Sequence, residues 1–397
     1  MANVPIYLSF EDWRALDVDL VQERDLEFPG KIYIKDNLLF INDLYSGIHV
    51  YDNANPASPI NLGFLDIPGN SDMSIRNNIL FADSYYDLLS IDITDINNPV
   101  IVDRVEDAFE FNNAQAVPGL DDDFPIAEWN ADKGVVIGWE ITEVTTEAYP
   151  NYYYPQLFDG SLGMDFAENV VADPSITTVG IGGSMARFTV YQDHLYTLQA
   201  SLLTTYDVSQ ESNVSNTSEI AINMVGETLF PSQGNLFVGT QWGMMIYSLS
   251  NPGSPTWLST YDHIVSCDPV VVNGDLAYVT LSTGRRCWQA LNQLEVIDIS
   301  DLTNPTLLRE FEMTNPQGLG VDENTLFLCD RGAGLRVFDI TDPLILDENQ
   351  IALFEDIDTY DCIPYNDVLI MVGADGVFQY GYSDVSNITL LSSITIQ

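Results

Sequence analysis

One unit recurs along this chain at a spacing of about 40 residues, and a period of that size restricts the fold more than any other property of the sequence. Each unit holds a β-rich segment, a second apolar strand, a third strand that often opens on Gly and ends in Asp, an Asn/Asp-Pro turn, and a further strand. The first reads Lys31-Ile-Tyr-Ile, Leu38-Leu-Phe-Ile and Gly47-Ile-His-Val-Tyr-Asp52, then Asn55-Pro56. The second has Asp72-Met-Ser-Ile, Ile79-Leu-Phe-Ala-Asp83 and Leu88-Leu-Ser-Ile-Asp92, then Asn98-Pro99. A long insertion follows before the third, at Phe188-Thr-Val, Leu195-Tyr-Thr-Leu and Leu203-Thr-Thr-Tyr-Asp207. The fourth is Thr228-Leu-Phe, Leu236-Phe-Val-Gly and Met244-Met-Ile-Tyr247; the fifth is Pro269-Val-Val-Val, Ala277-Tyr-Val-Thr and Leu294-Glu-Val-Ile-Asp298. Gly318-Leu-Gly-Val, Leu326-Phe-Leu-Cys329 and Gly334-Leu-Arg-Val-Phe-Asp339 make the sixth. Cys362-Ile-Pro, Val368-Leu-Ile-Met371 and Gly376-Val-Phe-Gln-Tyr380 make the seventh.

Short runs of Val, Ile, Leu, Phe and Tyr bounded by Gly, Asn, Asp and Pro mark strands joined by tight turns. The Asn or Asp side chain caps backbone donors, and the Pro blocks helical continuation. No segment keeps a 3.6-residue apolar period; residues 12–21 are the best candidate for a short helix. A lone four-stranded sheet cannot bury both faces, so units of this kind stack around a closed ring. The spacing therefore predicts an all-β chain, a β-propeller of seven four-stranded blades over residues 30–397, preceded by an N-terminal segment (1–29). An insertion at about 111–183 separates blades two and three. Blades three and four lack the Ile-Asp-Ile core, which leaves six and eight as alternatives to seven. Two segments compete for the outer edge of the last blade: 20–30, which resembles the blade exit at 61–69 and would close the ring, and 388–396.

Leu294-Glu-Val-Ile-Asp-Ile-Ser-Asp-Leu-Thr-Asn-Pro305 resembles the LVIVD repeat, and Gly334-Leu-Arg-Val-Phe-Asp-Ile-Thr-Asp-Pro343 and Leu89-Ser-Ile-Asp-Ile-Thr-Asp-Ile-Asn-Asn-Pro99 match it nearly as well. The likeness covers most of the chain outside roughly 110–183, and the layout, with Gly182-Gly-Ser-Met-Ala-Arg187, is similar to surface lipoproteins of Bacteroidota. The resemblance implies a β-propeller exported to the cell surface and lipid-anchored at the outer membrane; it implies no particular ligand. Residues 1–10 lack the basic and apolar regions of a signal peptide, so export implies a leader removed upstream.

Charge narrows the partners. Against 59 Asp and Glu stand 13 Lys and Arg, a net of −46, and such a surface gains nothing from the phosphates of nucleic acid or from anionic membranes. An acidic proteome of a saline habitat accounts for this balance, with a calcium-dependent function as the alternative. The sequence holds no run of about 18 apolar residues, so no membrane-spanning helix is expected.

In a propeller with this strand order, the blade-to-blade links and the loops between second and third strands share one face. The links place Asp72, Arg187, Glu227, Asp268, Gln317 and Asp361 there. The loops add Asp43, Tyr85, Tyr86, Gln241 and Trp242, and further on Arg285, Arg286, Asp330, Arg331 and Asp375. Four of only ten Arg in the chain, Arg187, Arg285, Arg286 and Arg331, map to this face. With Trp242, Tyr85, Tyr86 and the acids Asp268, Asp330 and Asp361 they form a candidate site for an anionic or sugar-like ligand, through forked hydrogen bonds and ring stacking. The competing reading is that these Arg neutralise rim carboxylates and tie blades together.

His49, His194 and His263 fall in different blades, with no HExxH or CxxC, so no His-based hydrolytic or metal centre is expected and no catalytic residue is assigned. Cys267 and Cys287 project to one face as a candidate disulfide, worth roughly 3 kcal/mol, whereas Cys329 and Cys362 sit inside strands as expected buried thiols. The insertion carries Asp121, Asp122 and Asp123, a candidate calcium turn without EF-hand spacing. Its Tyr149, Tyr152, Tyr153 and Tyr154 suit a contact surface or packing on the propeller's side. The expected function is a non-enzymatic surface propeller that binds a protein or glycan partner, with no cofactor unless calcium. The alternative is a propeller hydrolase or lyase acting on an anionic polysaccharide, with Arg285, Arg286 and Arg331 as clamps.

Overall fold

Each 40-residue unit folds into the four-stranded antiparallel sheet that its turns dictate. The computed structural model describes residues 1–110, 119–121, 123–127, 130–144, 181–182, 186–262, 269–282 and 291–396. Blades one to seven span 29–66, 73–105, 188–221, 226–262, 270–312, 316–354 and 361–395. The first strand of each lies innermost against its neighbours' first strands, and the ring closes where Pro29–Lys35 meets Val368–Gly373. The chain is a seven-bladed β-propeller, as the period predicts.

The repeat's punctuation has a steric basis. Hairpins between first and second strands place Asp36, Asn77, Gln192 and Asn366 at φ 54°, 54°, 54° and 50°, the left-handed geometry that matches strand twist. Gly47, Gly243, Gly334 and Gly376 open third strands at φ 148°, 153°, 114° and 132°. A Cβ at any of them would strike the carbonyl oxygen of the adjoining fourth strand (Leu65, Tyr261, Phe354 and Ile394), so only glycine fits. The Asp that ends the third strand turns the chain: Asp92, Asp207, Asp298 and Asp339 each accept from the N–H two residues on, at 2.8 Å. Hydrogen bonds from the following Ser or Thr hold the carboxyls of Asp207, Asp298 and Asp339 below the usual range.

Apolar side chains meet between blades. Phe40, Ile48 and Leu65 of blade one pack with Ile75, Leu80 and Ile91 of blade two; Ile363, Ile370 and Val372 of blade seven pack with Ile32, Ile34 and Ile41 of blade one.

The remaining segments decorate the ring. Thr389–Thr395 holds the outer edge of blade seven, so of the two competing segments the C-terminal one lies there. Leu20–Val21 instead adds a strand to the outer edge of blade one, on Ile60–Asp66. Ala2–Leu8 pairs with Val135–Thr142 of the insertion. Ile181–Gly182 pairs with the inner edge of Pro29–Lys35, inside the ring. The helix expected at 12–21 is Phe10–Arg14. Ser9 starts it by accepting the Asp12 N–H, and the chain then leaves the helix so that Val18 and Leu20 reach the apolar seam of blades one and two. Among the described residues no helix is long and apolar enough to cross a membrane.

Candidate site at the channel mouth and upper rim

The inner strands place four charged residues in equivalent positions. Lys35, Arg76, Tyr191 and Tyr365 close the first hairpins of blades one, two, three and seven. Four residues before them stand Lys31, Asp72, Arg187 and Asp361. In ring order from blade seven to blade three the charges alternate: Asp361, Lys31, Asp72, Arg187. Asp72 and Asp361 are buried, 3 % and 1 % exposed. Asp72 accepts from the Arg187 N–H at 2.8 Å and from the Met73 N–H at 2.7 Å; Asp361 accepts from the Cys362 N–H at 2.5 Å. Burial raises both carboxyls, Asp361 well above its ordinary value, while the Lys31 charge pulls each back. Asp72 thereby joins blade two to blade three through the Arg187 main-chain N–H, and the Arg187 charge adds to the lowering.

Beside it, Asp83 accepts from the N–H groups of Ser71 and Asp72 at 2.7 and 2.9 Å and from Ser71 Oγ at 2.5 Å. Burial outweighs these bonds and pushes its carboxyl up to about 6.

The other rim residues divide. Tyr85 is 4 % exposed, because the N-terminal helix covers it: the Trp13 ring lies edge-on to Tyr85 at 5.7 Å and to Tyr86 at 6.4 Å. Trp13 Nε1 donates to Ser84 Oγ at 3.2 Å, and Arg14 grips the buried Asp87 with two bonds of 2.8 and 2.9 Å. Both Tyr therefore serve the contact with this arm. Asp330 is buried and bonded to the N–H groups of Thr314 and Asn315 and to Arg336 Nε, at 2.9, 2.6 and 2.7 Å; it fixes a blade link rather than facing a ligand. Among the described rim residues, Trp242 and Asp375 are exposed and Arg331 is half-exposed. Trp242 is 52 % exposed on the tip of its loop. Arg331 lays its guanidinium on the Tyr360 ring, 4.4 Å from the centroid, with Asp358 3.6 Å from Nε and the side chain 37 % exposed.

Asp268, Arg285, Arg286, Cys267, Cys287 and Asp122 lie outside the described residues, as does the Tyr-rich run 149–154. Asp121 and Asp123 belong to a turn organised by the buried Asn3, whose Nδ2 donates to the carbonyls of Asp121 and Phe124, each at 2.7 Å. Among the described residues no three His, Cys, Asp or Glu cluster as a metal site would require. His49 Nε2 lies 3.2 Å from Asp43 Oδ2, but the pair is buried beneath Glu27 and Phe28, whose N–H groups bond Asp43. Cys329 and Cys362 are buried, as their strand positions predict. Lys31 escaped the sequence reading, although counting back from each hairpin would have found it.

No family model matches the chain, and no curated protein matches it. Among solved structures it resembles a protein from Lactobacillus plantarum, at 12 % identity and TM-score 0.57 over 93 % of this chain and 97 % of that one. It also resembles the computationally designed Ika8 protein, at 10 % identity and TM-score 0.53 over 95 % and 90 %. At such identities the likeness is one of fold alone.

Proposed function

We propose that this chain is a binding scaffold of the cell surface that recognises a protein or glycan partner through its upper rim. The observation that supports this reading is the preparation of Arg331: stacked on Tyr360 and steadied by Asp358, its guanidinium is held in place yet partly exposed. A side chain already ordered loses little entropy when it donates a forked hydrogen bond to a carboxylate or sugar acid. Trp242 offers a ring for stacking on the same face. Arg285 and Arg286 lie outside the described residues; their place in the repeat, in the loop of the blade between, is the sequence argument for further cations on that face. The cell-surface setting rests on the likeness to LVIVD-type lipoproteins. Calcium is a candidate bridging ion for so acidic a surface.

The test is a binding screen against anionic glycans and envelope proteins, with calcium and with EDTA, comparing the native protein with Arg331→Ala and Trp242→Ala. Binding that both variants weaken by about tenfold or more supports the rim as the site. Binding that neither variant changes refutes that placement.

A further inference from the structure

Between blades three and four the outer wall opens into a groove of about 570 Å³, lined by Ile220, Met224, Met245, Tyr247, Trp257 and Thr260. Trp257 is 55 % exposed there. At the same place between blades one and two, the chain fills the seam itself. Leu20 and Val21 pair antiparallel with Leu65 and Phe64 on the outer strand of blade one. Val18 and Leu20 pack with Leu65, Leu89, Ile91 and Ile101.

The strand registers make the two places equivalent. Leu65 stands opposite Ile48, and Ile220 opposite Leu203, the second residue of each third strand. Ile91 pairs with Ile101 in blade two as Tyr247 pairs with Trp257 in blade four. The outer strand of blade three, Ser215–Ala221, has no strand added outside it among the described residues.

Charge selects the occupant. No Lys or Arg occurs between Arg187 and Arg285, while Asp207, Glu211, Glu219 and Asp262 lie on these two blades. A second copy, itself at −46, is repelled. We infer that this wall docks an extended, basic segment of a partner protein. The segment adds as a fifth antiparallel strand to Ser215–Ala221 and sends apolar side chains two residues apart into the groove, as Val18 and Leu20 do in the filled seam. Its Lys or Arg residues lie over the flanking carboxylates. The groove runs down the outer wall from the blade link at Met224, which takes a bond from Thr240 Oγ1 at 3.4 Å, to Trp257 on the outer strand of blade four.

The experiment uses the full chain and a fluorescein-labelled peptide of residues 15–24 carrying Asp17→Lys and Asp19→Lys, with the unchanged peptide as control. Anisotropy is expected to show binding of the basic peptide that weakens several-fold from about 50 to about 500 mM salt. Trp257→Ser is expected to weaken it by about tenfold or more, and Met245→Ser likewise, with thermal midpoints confirming that both variants fold. Leu390→Ser, on the outer strand of blade seven, leaves it unchanged. Absence of binding by the basic peptide overturns the inference. So does equal binding of the acidic control, or binding that Trp257→Ser leaves intact.

Discussion

Asn53 and Gln379 exchange amide hydrogen bonds across the closing seam of the ring. Asn53 Nδ2 donates to Gln379 Oε1 at 2.8 Å, and Gln379 Nε2 donates to Asn53 Oδ1 at 2.7 Å. Ser392 Oγ strengthens the same junction by donating to Pro56 O at 2.6 Å. Because Gln379 is 1 % exposed, removal of Asn53 strands its buried Oε1 and leaves Nε2 only the longer bond to Ser392 Oγ, at 3.3 Å. Asn53→Ala is expected to cost about 1–2 kcal/mol in chemical denaturation. A cycle with Gln379→Ala is expected to show coupling above about 0.5 kcal/mol; purely additive losses would mean that apolar packing alone closes the ring.

The N-terminal arm is anchored by Trp13, 1 % exposed, and by the Arg14 grip on Asp87. Trp13→Ala is expected to loosen the arm without opening the ring, so tryptic cleavage after Arg14 and Arg24 should accelerate by about tenfold or more while the blades stay resistant. Unchanged cleavage would show that the pairing of Ala2–Leu8 with Val135–Thr142 suffices to hold the arm.

Asp83 gives the molecule a pH signature. Its carboxyl titrates near 6 in the folded state against an ordinary 3.8, so between those values the folded chain holds a proton that the unfolded chain has released. Its contribution to stability is therefore full below about 3.8 and is lost as pH rises to about 6. Asp83→Asn removes this loss. Relative to the native protein, the variant's denaturation midpoint should gain steadily over that window and then level off; parallel pH profiles would refute the assignment.

Two glycines in one loop separate conformation from crowding. Gly332 (φ 79°) has nothing near a Cβ, whereas a Cβ on Gly334 (φ 114°) would strike the Phe354 carbonyl. Gly332→Ala is expected to cost about 1 kcal/mol and Gly334→Ala upwards of about 2 kcal/mol. Equal losses in thermal unfolding would contradict the steric account.

The blades were legible because their signals are local: a turn residue, a strand-opening Gly and a strand-ending Asp each act within a few residues. Burial of Tyr85 was not, since it depends on Trp13, whose bond to Ser84 spans 71 positions. Lys31 was hidden because its significance lies in register with Asp72 and Asp361, and its own neighbours carry no sign of that. Blades three and four lack the Ile-Asp-Ile core in sequence, yet only the fold shows that Met245, Tyr247 and Trp257 turn this departure into an open groove.

The apolar flank of blade one, Ile32, Ile34 and Ile41, is covered by Leu26 and, from blade seven, by Ile363, Ile370 and Val372. During synthesis the growing arc thus carries a sticky face at its leading end until nearly the whole chain has left the ribosome. Two unfinished arcs are as complementary to each other as the two ends of one arc, which is the recipe for run-on, domain-swapped chains. The acidity spread along the chain, −46 over its full length, makes such arcs repel one another. The acidity of the finished ring thus also opposes run-on association while it is being made.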